Sequence, residues 1–122
     1  MQVKDLDLSE EVSKYLPEPQ GYRILVACPG IDEKTEGGIL IADSLREKES
    51  TASIFGMVMS LGADAYLDTD KFPNGPYCKE GDWVIFRSYS GTRFKIKGNE
   101  FRLINDDTVE AVVEDPKGIE RV

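Results

Sequence analysis

The sequence contains no histidine, and that single absence removes Ser-His-Asp triads, Cys-His dyads and the usual zinc ligand sets. Two cysteines, Cys28 and Cys78, make no disulfide framework, so both are expected as free thiols. Positive charge is scarce: 15 Lys and Arg stand against 23 Asp and Glu, a net charge of −8. Backbone recognition of nucleic acids needs clustered cations that displace counterions from phosphates, so this balance opposes nucleic-acid partners and anionic membrane surfaces alike. No run approaches the ~20 apolar residues of a membrane span, and the chain opens Met1-Gln2-Val3-Lys4-Asp5 without the apolar core of a signal peptide. A cytoplasmic location is the expectation.

What is present suffices for one folded domain. The 122 residues, 40% hydrophobic and 31% charged, can bury one core and not two. Strand signals dominate. Arg23 to Cys28 is an aliphatic run between Gly21 and Pro29-Gly30, continuous enough to be buried on both faces. Ser53 to Leu61 follows, with Gly56 marking a bulge or a tight bend. Further strands read at Trp83 to Phe86, Arg93 to Lys97, Glu100 to Ile104 and Val109 to Val113, with Gly98-Asn99 as a two-residue hairpin turn. Short strands at this spacing predict a mostly β chain folded as a small barrel or sandwich. Ahead of them, Ser9 to Leu16 reads as a short helix stopped by Pro17.

Two connections are long. Residues 31–51 lose all periodicity except for Ile39-Leu40-Ile41, and a stretch of that length inside a compact domain is either a misread element or a functional segment. Residues 63–80 carry Asp64, Asp68 and Asp70 before Pro73-Asn74-Gly75-Pro76 and read as an exposed loop. Counted from Asp68, an EF-hand needs glycine where Pro73 stands and glutamate where Lys79 stands, so no calcium loop is read there, and no metal or other cofactor is expected.

In order, these pieces resemble the GroES co-chaperonin family. Pro19-Gln20-Gly21-Tyr22-Arg23-Ile24-Leu25-Val26 looks like the family's opening into its first barrel strand. Lys34-Thr35-Glu36-Gly37-Gly38-Ile39-Leu40-Ile41, followed by Asp43-Ser44, is similar to its mobile loop. Gly81-Asp82-Trp83-Val84-Ile85-Phe86, Tyr89-Ser90-Gly91-Thr92 and Asp106 to Val113 resemble its later strands. The resemblance implies a GroES-fold β-barrel at residues 19–114, with a mobile loop at about 31–51 and a roof loop at about 63–80, between an N-terminal extension (1–18) and a C-terminal tail (115–122).

The resemblance also implies a function. Such a subunit is no enzyme; it assembles into a heptameric ring, caps a GroEL-type chaperonin according to nucleotide state and encloses unfolded substrate proteins. Gly37, Gly38, Ile39, Leu40 and Ile41 are the implied chaperonin-binding residues; Tyr89 is a candidate cavity-facing residue, although an aromatic beside a turn is more often there for simple packing, and that reading is favoured. The mobile loop runs a few residues long and the roof lacks the family's glycine-marked hairpin. These departures, with the terminal additions, mark a divergent member, and a virus-encoded one in a host cytoplasm is one expectation. The alternative from composition alone is a small acidic, OB-like binding barrel without a chaperonin partner, which would present aromatic and basic residues on one face.

Overall fold

A computed structural model describes residues 3–4, 14–31 and 54–119. Eight strands follow in order: β1 (Val3–Lys4), β2 (Arg23–Cys28), β3 (Gly30–Ile31), β4 (Phe55–Leu61), β5 (Trp83–Ile85), β6 (Thr92–Ile96), β7 (Asn99–Asn105) and β8 (Ala111–Val113). Helical structure among the described residues is confined to two single 3-10 turns, Asp106–Thr108 and Pro116–Gly118. Six strands form one antiparallel sheet in the order β6-β7-β2-β4-β5-β8, while β1 pairs with β3 in a separate two-stranded ladder. The expected helix from Ser9 falls mostly outside the described residues.

β2 is the centre of the sheet, paired with β7 on one side and β4 on the other. Its residues from Ile24 to Cys28 are all buried, as an aliphatic run without polar alternation requires. One face carries Ile24 and Val26 into a cluster with Val58, Val84, Phe86, Ile104 and Val109. The other carries Leu25 and Ala27 against Phe101, flanked by Leu16, Met59, Phe94, Ile96 and Leu103. Val84 of β5 and Ile104 of β7 share the first cluster although β2 and β4 lie between their strands, so the sheet curls around that cluster as a small barrel does. The mostly β fold expected from the sequence is the fold observed.

Two local expectations change. The hairpin turn is Lys97-Gly98, because Ile96 pairs with Asn99 across it. Both turn residues have positive φ, 52° and 83°, the geometry that matches the twist of the flanking strands. The bulge in β4 lies at Met59: the register steps from Leu25↔Ser60 to Val26↔Val58 and leaves Met59 as the extra residue. Gly56 answers a different need, since a Cβ there would come within 3.0 Å of the Ala27 carbonyl oxygen.

The third change concerns residues 63–80. Asp64, Asp68 and Asp70 are exposed, but Tyr66, Phe72 and Cys78 are buried in the first core cluster, so this connection is partly built into the core. The rings of Tyr66, Phe72 and Tyr77 lie within 4.9–5.4 Å of one another, two of the pairs edge to face. Tyr66, at φ 63°, is fixed from both ends: its amide donates to Asp106 Oδ2 (3.0 Å) and its hydroxyl donates to the Asp106 carbonyl (2.8 Å).

Candidate functional site

The five residues singled out for partner binding, Gly37, Gly38, Ile39, Leu40 and Ile41, lie outside the described residues, so the structure fixes only the points between which they run. β2 and β4 are antiparallel neighbours, with Ala27 opposite Met57. The chain therefore leaves after Cys28 and returns to Phe55 at the same end of the sheet. On the outgoing side Gly30–Ile31 is paired with Val3–Lys4. On the returning side the Ile54 carbonyl accepts the Phe86 amide at 2.9 Å. The other long connection, 62–82, leaves from Leu61, opposite Ile24, at the far end of β2. The two long connections thus start from opposite ends of β2 and β4.

Tyr89, the remaining residue singled out from the sequence, lies on the connection from β5 to β6. Those strands are not neighbours in the sheet order, so residues 86–91 form a crossing connection. The crossing tightens into a turn in which the Ser90 amide and hydroxyl both donate to the Arg87 carbonyl, at 3.1 and 2.6 Å. Gly91 follows at φ 76° and packs so closely that a Cβ would lie 2.3 Å from the Leu103 carbonyl oxygen. At the apex Tyr89 is 96% exposed.

Sequence reading missed what lies beneath this turn. Arg102 of β7 is wholly buried, its guanidinium 4.9 Å from the centre of the Phe86 ring. Nη1 donates to the carbonyls of Ser88 (3.0 Å) and Arg87 (3.4 Å), while Nε and Nη2 have no hydrogen-bond partner. Burial lowers its pKa from the ordinary arginine value. No signal in the sequence marked it: Glu100 and Arg102 alternate with Phe101 and Leu103 as on a solvent-facing strand, and only the pairing of Arg102 with Val26 places it inside.

Burial pushes the Cys28 thiol up to about 12 and raises those of Cys78 and the Tyr66 hydroxyl, so none of the three is an activated nucleophile. Both cysteines are free. Among the described residues no three carboxylate or thiol groups gather in a metal-binding cluster, and no helix is long and apolar enough to cross a membrane.

Comparison with known proteins gives the family. Residues 17–113 match the profile described as "Chaperonin 10 Kd subunit". The chain is 36% identical over 97 residues to proteins named "Co-chaperonin GroES" from Caldicellulosiruptor saccharolyticus and Caldicellulosiruptor bescii, covering 80% of this chain and 96% of each relative. To the protein of the same name from Bacillus sp. strain PS3 it is 34% identical over 96 residues, covering 79% and 97%. The matched stretch takes in β2, every strand from β4 to β8 and both long connections. By sequence along nearly the whole length of these relatives, and by its barrel, the chain belongs to the chaperonin 10 Kd subunit family.

Proposed function

We propose that this protein is a GroES-type co-chaperonin: a non-enzymatic ring subunit that caps a GroEL-type chaperonin according to the chaperonin's nucleotide state and encloses unfolded polypeptides beneath it. The observation that carries this reading is the match to proteins named co-chaperonin GroES over 96% of their length. On this reading residues 31–51 form the docking loop and 63–80 the roof, starting from opposite ends of β2 and β4. Residues 1–18 and 115–122 flank the barrel, and the whole works in the cytoplasm.

The docking loop works through a balance of opposed terms. Burying Ile39, Leu40 and Ile41 in hydrophobic grooves gains about 1.5–3 kcal/mol each. Ordering the backbone around them costs roughly 1–2 kcal/mol per residue, so one loop binds weakly. In a ring the first docked loop raises the effective concentration of the others, and weak sites combine into a tight attachment. When the partner's grooves move with its nucleotide state, all the loops weaken together and the cap departs. Gly37 and Gly38 supply the backbone freedom that presents the tripeptide. Tyr89 faces the enclosed polypeptide as a contact residue. The ATP chemistry belongs to the partner.

Native mass spectrometry tests the reading, comparing wild type with the triple variant Ile39→Ser/Leu40→Ser/Ile41→Ser, alone and with a GroEL-type chaperonin plus ADP or ATP. The expected result is a heptamer that binds only with nucleotide, and a variant that keeps ring mass but loses the complex. A wild-type monomer indifferent to chaperonin and nucleotide refutes it.

A further inference from the structure

We infer that Arg102 is a positioning residue, a buried cation that holds the turn of residues 87–90 and so fixes how Tyr89 is presented to an enclosed polypeptide. The inference rests on the reading of Tyr89 as a contact residue for its second half only.

Three observations converge. Arg102 reaches from the interior to the carbonyls of both Arg87 and Ser88, the two residues immediately before Tyr89. The Arg87 carbonyl already accepts the amide and the hydroxyl of Ser90, so the guanidinium completes the fastening of the turn from below. The same guanidinium lies against Phe86, the last core residue before the crossing, which ties the turn to the barrel interior. Above these anchors stands a tyrosine with 96% of its surface free. A large exposed ring on an immobilised backbone loses little entropy on contact, which is the property of a binding residue.

The position is also a poor choice for stability. Nε and Nη2 are buried without partners, and such groups carry a desolvation cost that an apolar side chain of similar volume avoids. Arg93, directly across the β6–β7 ladder, adds a like charge. A residue that only filled the core would be better as Met or Leu. The gains visible for Arg102 are the pair of carbonyls it holds, the face of Phe86 and the attraction of Glu100, and of these only the carbonyls lie in the turn.

The two roles separate by experiment on the full-length chain. R102M keeps the volume and removes the charge and the donors; R102K keeps the charge and one donor nitrogen but loses the planar stack. Amide hydrogen exchange at Ser90 reports the turn directly and needs no partner. R102M is expected to exchange about tenfold faster there, the change expected on losing a hydrogen bond from a charged donor. Its melting temperature should stay equal to wild type or rise, and R102K should retain most of the protection. Where R102M does not fold, R102L takes its place, read by the same two measures of Ser90 exchange and melting temperature. Unchanged Ser90 exchange in a folded R102M, or faster exchange that merely tracks a fall in melting temperature, overturns the positioning role. The consequence for Tyr89 is read separately, as the yield of a chaperonin-enclosed refolding substrate. R102M should lower it as far as Tyr89→Ala does, with no further loss in the double variant. If Tyr89→Ala alone is without effect, the contact reading fails while the exchange result still stands.

Discussion

Tyr66→Phe removes one oxygen atom from the best-fastened point of the 62–82 connection. The lost hydroxyl donates to the Asp106 carbonyl at 2.8 Å and lies 3.4 Å from Cys78 Sγ, while the ring keeps its edge-to-face contact with Phe72. The packing is therefore preserved, and what changes is one buried hydrogen bond to the carbonyl that also opens the turn Asp106–Thr108. Such a loss costs about 0.5–1.5 kcal/mol. For a chain of this size each kcal/mol moves the melting temperature by about 3–6 °C, so a fall of at least ~2 °C is expected by scanning calorimetry. Subunit concentration must be held equal, because assembly shifts apparent stability. Amide exchange adds a local readout: the Tyr66 amide, held by Asp106 Oδ2, should lose protection ahead of β2. Tyr89→Phe, on a side chain almost wholly in solvent, is the control and should not move the transition. A Tyr66→Phe protein melting within about 1 °C of wild type would show that the connection is not fastened through this hydroxyl.

Alkaline pH should destabilise the fold through the buried thiols and Tyr66. Cys28, near 9.0 when unfolded and raised to about 12 in the fold, keeps its proton in the native state, so stability falls as pH rises from about 9 toward 12. Cys78 and Tyr66 act in the same direction. Urea midpoints at several pH values should therefore decline less steeply above pH 9 in Cys28→Ala, and equal slopes would refute the assignment. Gly91→Ala combines positive φ with a Cβ 2.3 Å from a backbone oxygen and should cost more than about 2 kcal/mol, whereas Gly75→Ala, at φ 89° in open space, should cost about 1; comparable urea midpoints for the two would contradict the packing at Gly91.

The strands were legible where a physical rule acts locally. β2 announced itself because an aliphatic run is buried on both faces, and β6 because Phe94 and Ile96 alternate with exposed Arg93 and Lys95. The hairpin turn slipped by one residue because glycine satisfies either turn position, and only the pairing of Ile96 with Asn99 decides. Tyr66, Phe72 and Cys78 were hidden for another reason: isolated apolar residues at irregular spacing have no periodicity, and their burial depends on Asp106, forty residues from Tyr66 along the chain. Arg102 is the same case, since its partners are carbonyls supplied by a distant turn. The tripeptide Ile39-Leu40-Ile41, proposed to dock, was visible as a motif and lies outside the described residues.

The order of the sheet leaves two free margins, β6 and β8, and among the described residues no ladder joins them. They are unequal. β6 carries Lys95 beside an Arg93 that is paired with Glu100 at 2.8 Å, so two copies approaching through β6 bring charged groups face to face. β8 is three residues long, Ala111–Val113, with Val112 half exposed and no charge of its own. A polymer chemist would call such a unit a monomer with two dissimilar ends: joining through like ends stops at a pair, whereas joining through unlike surfaces continues until the path closes on itself. In the proposed ring, β8 has one ladder partner among the described residues and a free outer edge until that closure, so the hazard of misassembly is concentrated in the time before the last subunit arrives.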